Sequence, residues 1–178
     1  MTDIRTGRFT VATKEPFVVF LIGMRLNRIL RIDKWFPVFM AMGRMLRELH
    51  AEPGHGFLGA KAVFYWRGIG LIQYWRSFEH LEAYARQKGG THVGAWAAFS
   101  RAIGDDGSVG IWHETYPVAA GAYECVYGNM PPFGLGAAFP VVPATGRNQT
   151  ARQRMQAASA PSTRGSIEPM PWMPRPAR

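Results

Sequence analysis

The sequence has a single cysteine, Cys125, among its 178 residues. One thiol excludes any disulfide within the chain and any zinc site built from several cysteines, and it points to a reducing, cytoplasmic setting. Long apolar runs are missing as well. The longest, Phe17 to Met24, has eight residues against the roughly twenty that span a bilayer. The opening MTDIRTGRFT lacks the apolar centre of a secretory signal. A soluble protein with no membrane partner is expected, and the apolar stretch from Phe17 to Met45, with its scattered arginines, either touches a membrane surface or folds into the core, the core being favoured. There is no internal repeat. There is also no glycine-rich phosphate cradle: the lone pair Gly134 and Gly136 follows no strand-to-helix pattern, so flavin or nicotinamide binding by a Rossmann unit is not expected. Acidic residues are few, 12 against 21 Lys and Arg, for a net charge of +9. From Thr145 onward six arginines face the single Glu168, and the rest of the excess is scattered. No basic helix interleaved with exposed aromatics stands out, and no nucleic-acid partner is expected.

What is present is core material. With 47% apolar and 13% aromatic residues, the chain is long enough for one domain, read here as residues 1–144. Residues 145–178 are rich in Arg, Gln, Ala, Ser and Pro, a composition too poor in apolar side chains to offset ordering entropy, and they are expected to form a disordered tail.

Within the domain, PFVVFLIGMRL reads as a strand covered on both faces, because its apolarity is nearly continuous. Asp33 is the expected cap of a helix in which Trp35, Val38, Met42, Leu46 and Leu49 recur at helical spacing, ended by EPGHG. Two strands follow, Phe57 to Trp66 and Ile69 to Arg76, joined by a hairpin turn at Arg67 and Gly68. Ser77 caps a second helix with Phe78, Leu81 and Tyr84 as its stripe, and Thr91 opens a third helical stretch, His92 to Ile103. A closing strand, GIWHETYPV, comes next, then a further strand in AYECVY and a Gly/Pro loop whose Phe133, Leu135 and Phe139 should pack on the domain. The order is that of a ferredoxin-like split βαβ α+β fold. Its helices lie on one face of a small sheet, so a second copy of the chain is expected on the other.

GIWHETYPV carries the first chemical question, because its histidine and glutamate superficially resemble a zinc-protease pattern. Pro117 stands where a second metal-binding histidine would be, and the run has strand chemistry. Alternation sends Ile111, His113 and Thr115 to one face and Trp112, Glu114 and Tyr116 to the other, so His113 and Glu114 are no dyad. Glu114 is expected to pair with Arg25 or Arg76.

Taken together, FVVFLIGMRLN, IQYWRSFEHLEAYAR, HVGAWAAFSRAIGDDGSVGIWHETYPV and YECVYGNMPPFGLG resemble the monooxygenase-like family whose named fungal member belongs to fumagillin biosynthesis, related in fold to the antibiotic-biosynthesis monooxygenases. The likeness covers roughly residues 5–140. It implies a homodimeric α+β barrel with a cavity between helices and sheet, and two chemistries for that cavity. In the first, a monooxygenase without a cofactor oxidises a small phenolic or terpenoid-like molecule with O2. In the second, haem is held by a helix histidine, as in aldoxime-dehydratase-like or haem-degrading relatives. A non-catalytic binding module is the reading from outside enzymology.

His92 is the first candidate for base or haem ligand, since the positive end of its helix disfavours imidazolium. Trp96, Phe99 and Ile103 follow at helical spacing, either as the aromatic wall of a pocket or as plain core. His113 is the second candidate. Its face looks either at the helices or at the partner copy. Tyr74 and Arg76 share a strand face and can hold an anionic group or form an interface. Asn27, at the end of the first strand, is either a turn cap or an amide aimed at a substrate oxygen. His50, His55 and His80 are expected to be solvated.

Overall fold

The computed structural model describes residues 3–51, 53–86 and 106–159. Strand β2 (Phe17–Leu26) lies at the heart of a four-stranded sheet with β3 (Phe57–Tyr65), β4 (Gly68–Trp75) and β5 (Val109–Val118). The order β3-β4-β2-β5, antiparallel throughout, is the ferredoxin-like topology. The central place of β2 follows from its run of apolar side chains, which satisfies both faces.

Helix α1 (Ile32–Ala51) covers one face. Its Val38 packs with Met24 and Val109, Met42 with Ile22 and Leu71, and Leu49 with Val18 and Trp75. Helix α2 (Phe78–Arg86) closes the far end of that face with Leu81 and Tyr84. Ser77 caps α2 as expected, its Oγ accepting the His80 N–H at 3.4 Å. Asp33 lies one residue inside α1, and its carboxylate accepts two hydrogen bonds from the Arg31 guanidinium, at 2.9 and 2.8 Å. The hairpin turn falls on Trp66 and Arg67, a residue earlier than read, with Tyr65 opposite Gly68. Arg67 there adopts a φ of 62°. Its side chain anchors this conformation by donating to the Leu26 and Asn27 carbonyls.

A second, smaller layer was not foreseen. Strand β1 (Arg5–Val11) stands between β6 (Tyr127–Met130) and β7 (Val141–Pro143). Together with the short helix α3 (Leu135–Ala138) it packs on the other face of the main sheet, where Val11 and Leu135 meet Phe17, Val19 and Tyr74. The expected strand over AYECVY moves to Tyr127–Met130. Tyr123 and Cys125 instead turn inward to that core, the Tyr123 hydroxyl donating to the Thr13 carbonyl at 2.9 Å. Phe139 joins the same core, as expected of the Gly/Pro loop.

The tail reading needs correction up to Ser159. A 3-10 turn at Gly146–Asn148 leads into helix α4 (Ala151–Ser159). Arg154 of α4 is 7% exposed, pairs with Glu124 and donates to the carbonyls of Asn148 and Gln149 at 2.9 and 3.0 Å. One buried guanidinium thus supplies the anchoring that composition did not suggest. Residues 160–178 lie outside the described residues.

Candidate active site

The register of the main sheet lays out the floor of a cleft under α1 and α2. Three rows run across it: Trp75, Val18 and Pro117; Gln73, Phe20 and Thr115; Leu71, Ile22 and His113. Residues directly opposite in an antiparallel pair share a face, so His113, Thr115 and Gln73 all point to the helix side. The cleft has a volume of about 350 Å³. Met45 and Leu49 of α1 and Phe78, Leu81 and Tyr84 of α2 make its apolar walls. Its aromatic end is stacked: Phe57 lies 5.3 Å from Trp75, Trp75 5.6 Å from Tyr84, and Tyr84 5.5 Å from His55, centroid to centroid.

Four polar side chains interrupt this apolar lining. Gln73 is 3% exposed, and its Oε1 accepts the indole N–H of Trp75 at 2.9 Å. An indole nitrogen can only donate, so the carboxamide must present its oxygen there. Its NH2 group is then the end that can donate to a molecule in the cleft. The His113 imidazole is exposed and tilted against Phe20, with ring centroids 5.8 Å apart. The Thr115 hydroxyl stands two residues along on the same face. Glu82 reaches the rim of the cleft, where Arg86 neutralises it at 2.8 Å.

The other sequence candidates go elsewhere. Tyr74 faces the opposite side of the sheet, among Leu135, Cys125 and Tyr127. Burial pushes its phenol above the ordinary 10.0, and the Leu135 N–H partly offsets this. Arg76 lies just past the end of β4 and is exposed, away from the cleft lining. Asn27 serves the turn: its Nδ2 donates to the Gly107 carbonyl at 3.1 Å and its Oδ1 accepts from Arg25 at 2.8 Å. Tyr74, Arg76 and Asn27 therefore do not join His113 in one cleft. His92, Trp96 and Phe99 lie outside the described residues. Glu114 accepts the Tyr116 hydroxyl proton at 2.5 Å, in place of the ion pair expected with Arg25 or Arg76. Of the remaining histidines, His50 is exposed as expected, while His55 and His80 are half-buried. His80 Nδ1 lies 2.8 Å from Ser77 Oγ, and His50 Nδ1 2.7 Å from the Leu46 carbonyl.

Sequence reasoning passed over Gln73 and Trp75. The signal was there: in β4 the alternation puts Leu71, Gln73 and Trp75 on one face, a single amide in an apolar row. Among the described residues no group of three His, Cys, Asp or Glu side chains gathers as a metal centre.

Comparison with known proteins gives the fold and the family. No curated protein matches this chain. The crystal structure of an aldoxime dehydratase is similar over 79% of this chain, with a TM-score of 0.62 and 17% identity, although the chain spans only 43% of that protein. SnoaB, a cofactor-independent oxygenase from Streptomyces nogalater, aligns with 57% of this chain and 91% of its own, at 12% identity and a TM-score of 0.42. The sequence model of one family, monooxygenase af470-like, matches residues 17–135, the stretch that holds the whole main sheet and both of its described helices. The chain belongs to the monooxygenase af470-like family.

Proposed function

We propose that this chain is a monooxygenase of secondary metabolism that oxidises a small, apolar, phenolic or terpenoid-like molecule with O2 in the cleft beneath α1 and α2. The observation that carries this reading is the presence of an imidazole, His113, and a buried carboxamide, Gln73, on one mostly apolar floor. A substrate carbon bearing two hydrogens beside an aromatic or carbonyl group loses one as a proton to a neutral imidazole. Charge then builds on the substrate oxygen, where the Gln73 NH2 group donates to it. The carbanion passes one electron to O2. The radical pair combines into a peroxide anion, C–O–O−, which takes back the proton to give C–O–OH, and loss of water with the second hydrogen leaves a carbonyl. Overall one CH2 and one O2 become one C=O and one H2O. Met45, Leu49, Phe78 and Leu81 give the charged stages an apolar border.

His92, the first candidate of the sequence analysis, is the other candidate base, with Trp96 and Phe99 as pocket walls. The haem alternative also depends on His92, because the described wall offers a strand histidine and no helix histidine. Oxygen uptake with a panel of phenols and anthrone-like substrates tests the proposal. His113→Ala is expected to lower turnover about 10²-fold. Unchanged turnover in the doubly substituted His92→Ala, His113→Ala chain would overturn it, and a Soret band that develops on haem titration would replace it with the haem reading.

The functional unit in this proposal is a cytoplasmic homodimer. The second face of the main sheet supports it: β1, β6, β7 and α3 cover only the Phe17 end, and Trp112 and Tyr116 stand 36% and 49% exposed beyond them.

A further inference from the structure

The end of the molecule at which β2 finishes carries a second surface, unrelated to the cleft. Three segments meet there. The Leu26 N–H donates to the Arg67 carbonyl at 2.7 Å, joining the β3-β4 hairpin tip to the end of β2, and the N–H groups of Asn27 and Arg28 both donate to the Ser108 carbonyl. The chain then turns through Ile29 and Leu30 into the first turn of α1. Large apolar side chains project from all of this end: Leu30 is 92% exposed, Trp66 84% and Phe64 82%, with Ile29, Ile32 and Phe36 about half exposed. Single exposed apolar residues are ordinary. Six gathered at one end make a patch of the kind that marks an interaction site.

Charge accompanies the patch. Arg25, Arg28, Arg31, Lys34 and Arg67 surround it, against Asp33 and Asp106 among the described residues. Arg31 is paired with Asp33, and Lys34 lies 3.6 Å from Asp106. Arg25 and Arg67 donate to neutral oxygens, the Asn27 amide and two backbone carbonyls, which leaves their charge uncompensated. Asp105 lies outside the described residues.

We propose that this end docks on an anionic lipid bilayer surface, with Leu30, Phe64 and Trp66 inserted at the headgroup level and the surrounding arginines against lipid phosphates and carboxylates. A hairpin tip and a loop project where a protein partner is met by flatter ground. Tryptophan favours the bilayer interface, and the cations add attraction to an anionic leaflet. No described helix is long and apolar enough to cross a membrane, so the contact is peripheral. The sequence reading expected no membrane partner, from its short apolar runs, and favoured the core over a membrane surface for the stretch that holds Leu30; only the fold brings Leu30 and Trp66, 36 positions apart, to one end.

Vesicle cosedimentation of the full chain tests this directly. Wild type is expected to bind vesicles of equal parts phosphatidylcholine and phosphatidylserine, to bind phosphatidylcholine alone weakly, and to release at high salt. The doubly substituted Leu30→Ser, Trp66→Ser chain keeps the arginine-rich C-terminus and should lose about tenfold or more in affinity with an unchanged Tm, since both side chains are solvent-facing. Tryptophan emission of the wild type should be quenched by brominated acyl chains, and less so in Trp66→Phe. Absence of wild-type binding, or equal binding by the double variant, would overturn the proposal; the latter result would assign lipid contact to another part of the chain.

Discussion

Gln73 shows how one hydrogen bond can assign a chemical direction. With its oxygen held by the Trp75 indole, the carboxamide has only N–H groups to offer the cleft. Replacing it by leucine preserves volume, leaves the buried Trp75 indole N–H without its acceptor at a cost of about 1–3 kcal/mol, and removes the donor, lowering kcat about 10²-fold with a small change in KM, measurable by oxygen uptake. The tyrosines behind the sheet make a separate prediction. Burial raises the phenols of Tyr74, Tyr123 and Tyr127 above the ordinary 10.0. The folded state therefore holds these protons more tightly than the unfolded chain does, and the stability this provides is intact below pH 10.0 and lost as pH rises through the folded values. Unfolding monitored by tyrosinate absorbance should accordingly begin above that pH, with ionisation and loss of the small layer coinciding.

At the scale of elements, two glycines predict opposite outcomes for the same substitution. A Cβ on Gly68 would stand 2.4 Å from the Met24 carbonyl oxygen, which belongs to β2 and cannot retreat without opening the sheet. Gly68→Ala should cost about 1–3 kcal/mol in urea unfolding. Gly43, on the exposed side of α1, has nothing within 4 Å of such a Cβ, and Gly43→Ala should add about 0.5–1 kcal/mol. Helix α4 depends on Arg154. Arg154→Met leaves Glu124 and two carbonyls without their donor, and we expect a loss of about 3 kcal/mol together with rapid proteolysis near residue 151. The main sheet, α1 and α2 were legible in the sequence because periodicity and caps are local signals. Strands β1 and β7 were not. RTGRFTV has little apolar patterning of its own, and its partners lie more than a hundred residues away. Helix α4 was hidden for a similar reason, since Glu124, which holds it, belongs to a different segment.

For the whole molecule, the half-covered second face sets the expectation of a dimer. Light scattering should give the mass of two chains, and Trp112→Asp should shift it toward one. Trp112 lies over Gly23 and donates its indole N–H to the Tyr65 hydroxyl at 2.8 Å, so it offers a partner an ordered aromatic surface in place of a loose side chain.

The sequence by itself determined the order of the strands and described helices in the main layer and the separation of His113 from Glu114. These follow from spacing within one element, where side-chain direction is set by 2.0 or 3.6 residues per repeat. Tertiary structure alone decided that His113 and Gln73 share the helix face while Tyr74 looks the other way and Arg76 lies away from the cleft lining. It also decided that Leu30 and Trp66 meet at one end. Relations between strands depend on register, and a slip of one residue would have sent every side chain to the opposite face. That choice was made by the packing of α1 on one face of the sheet and of the small second layer on the other.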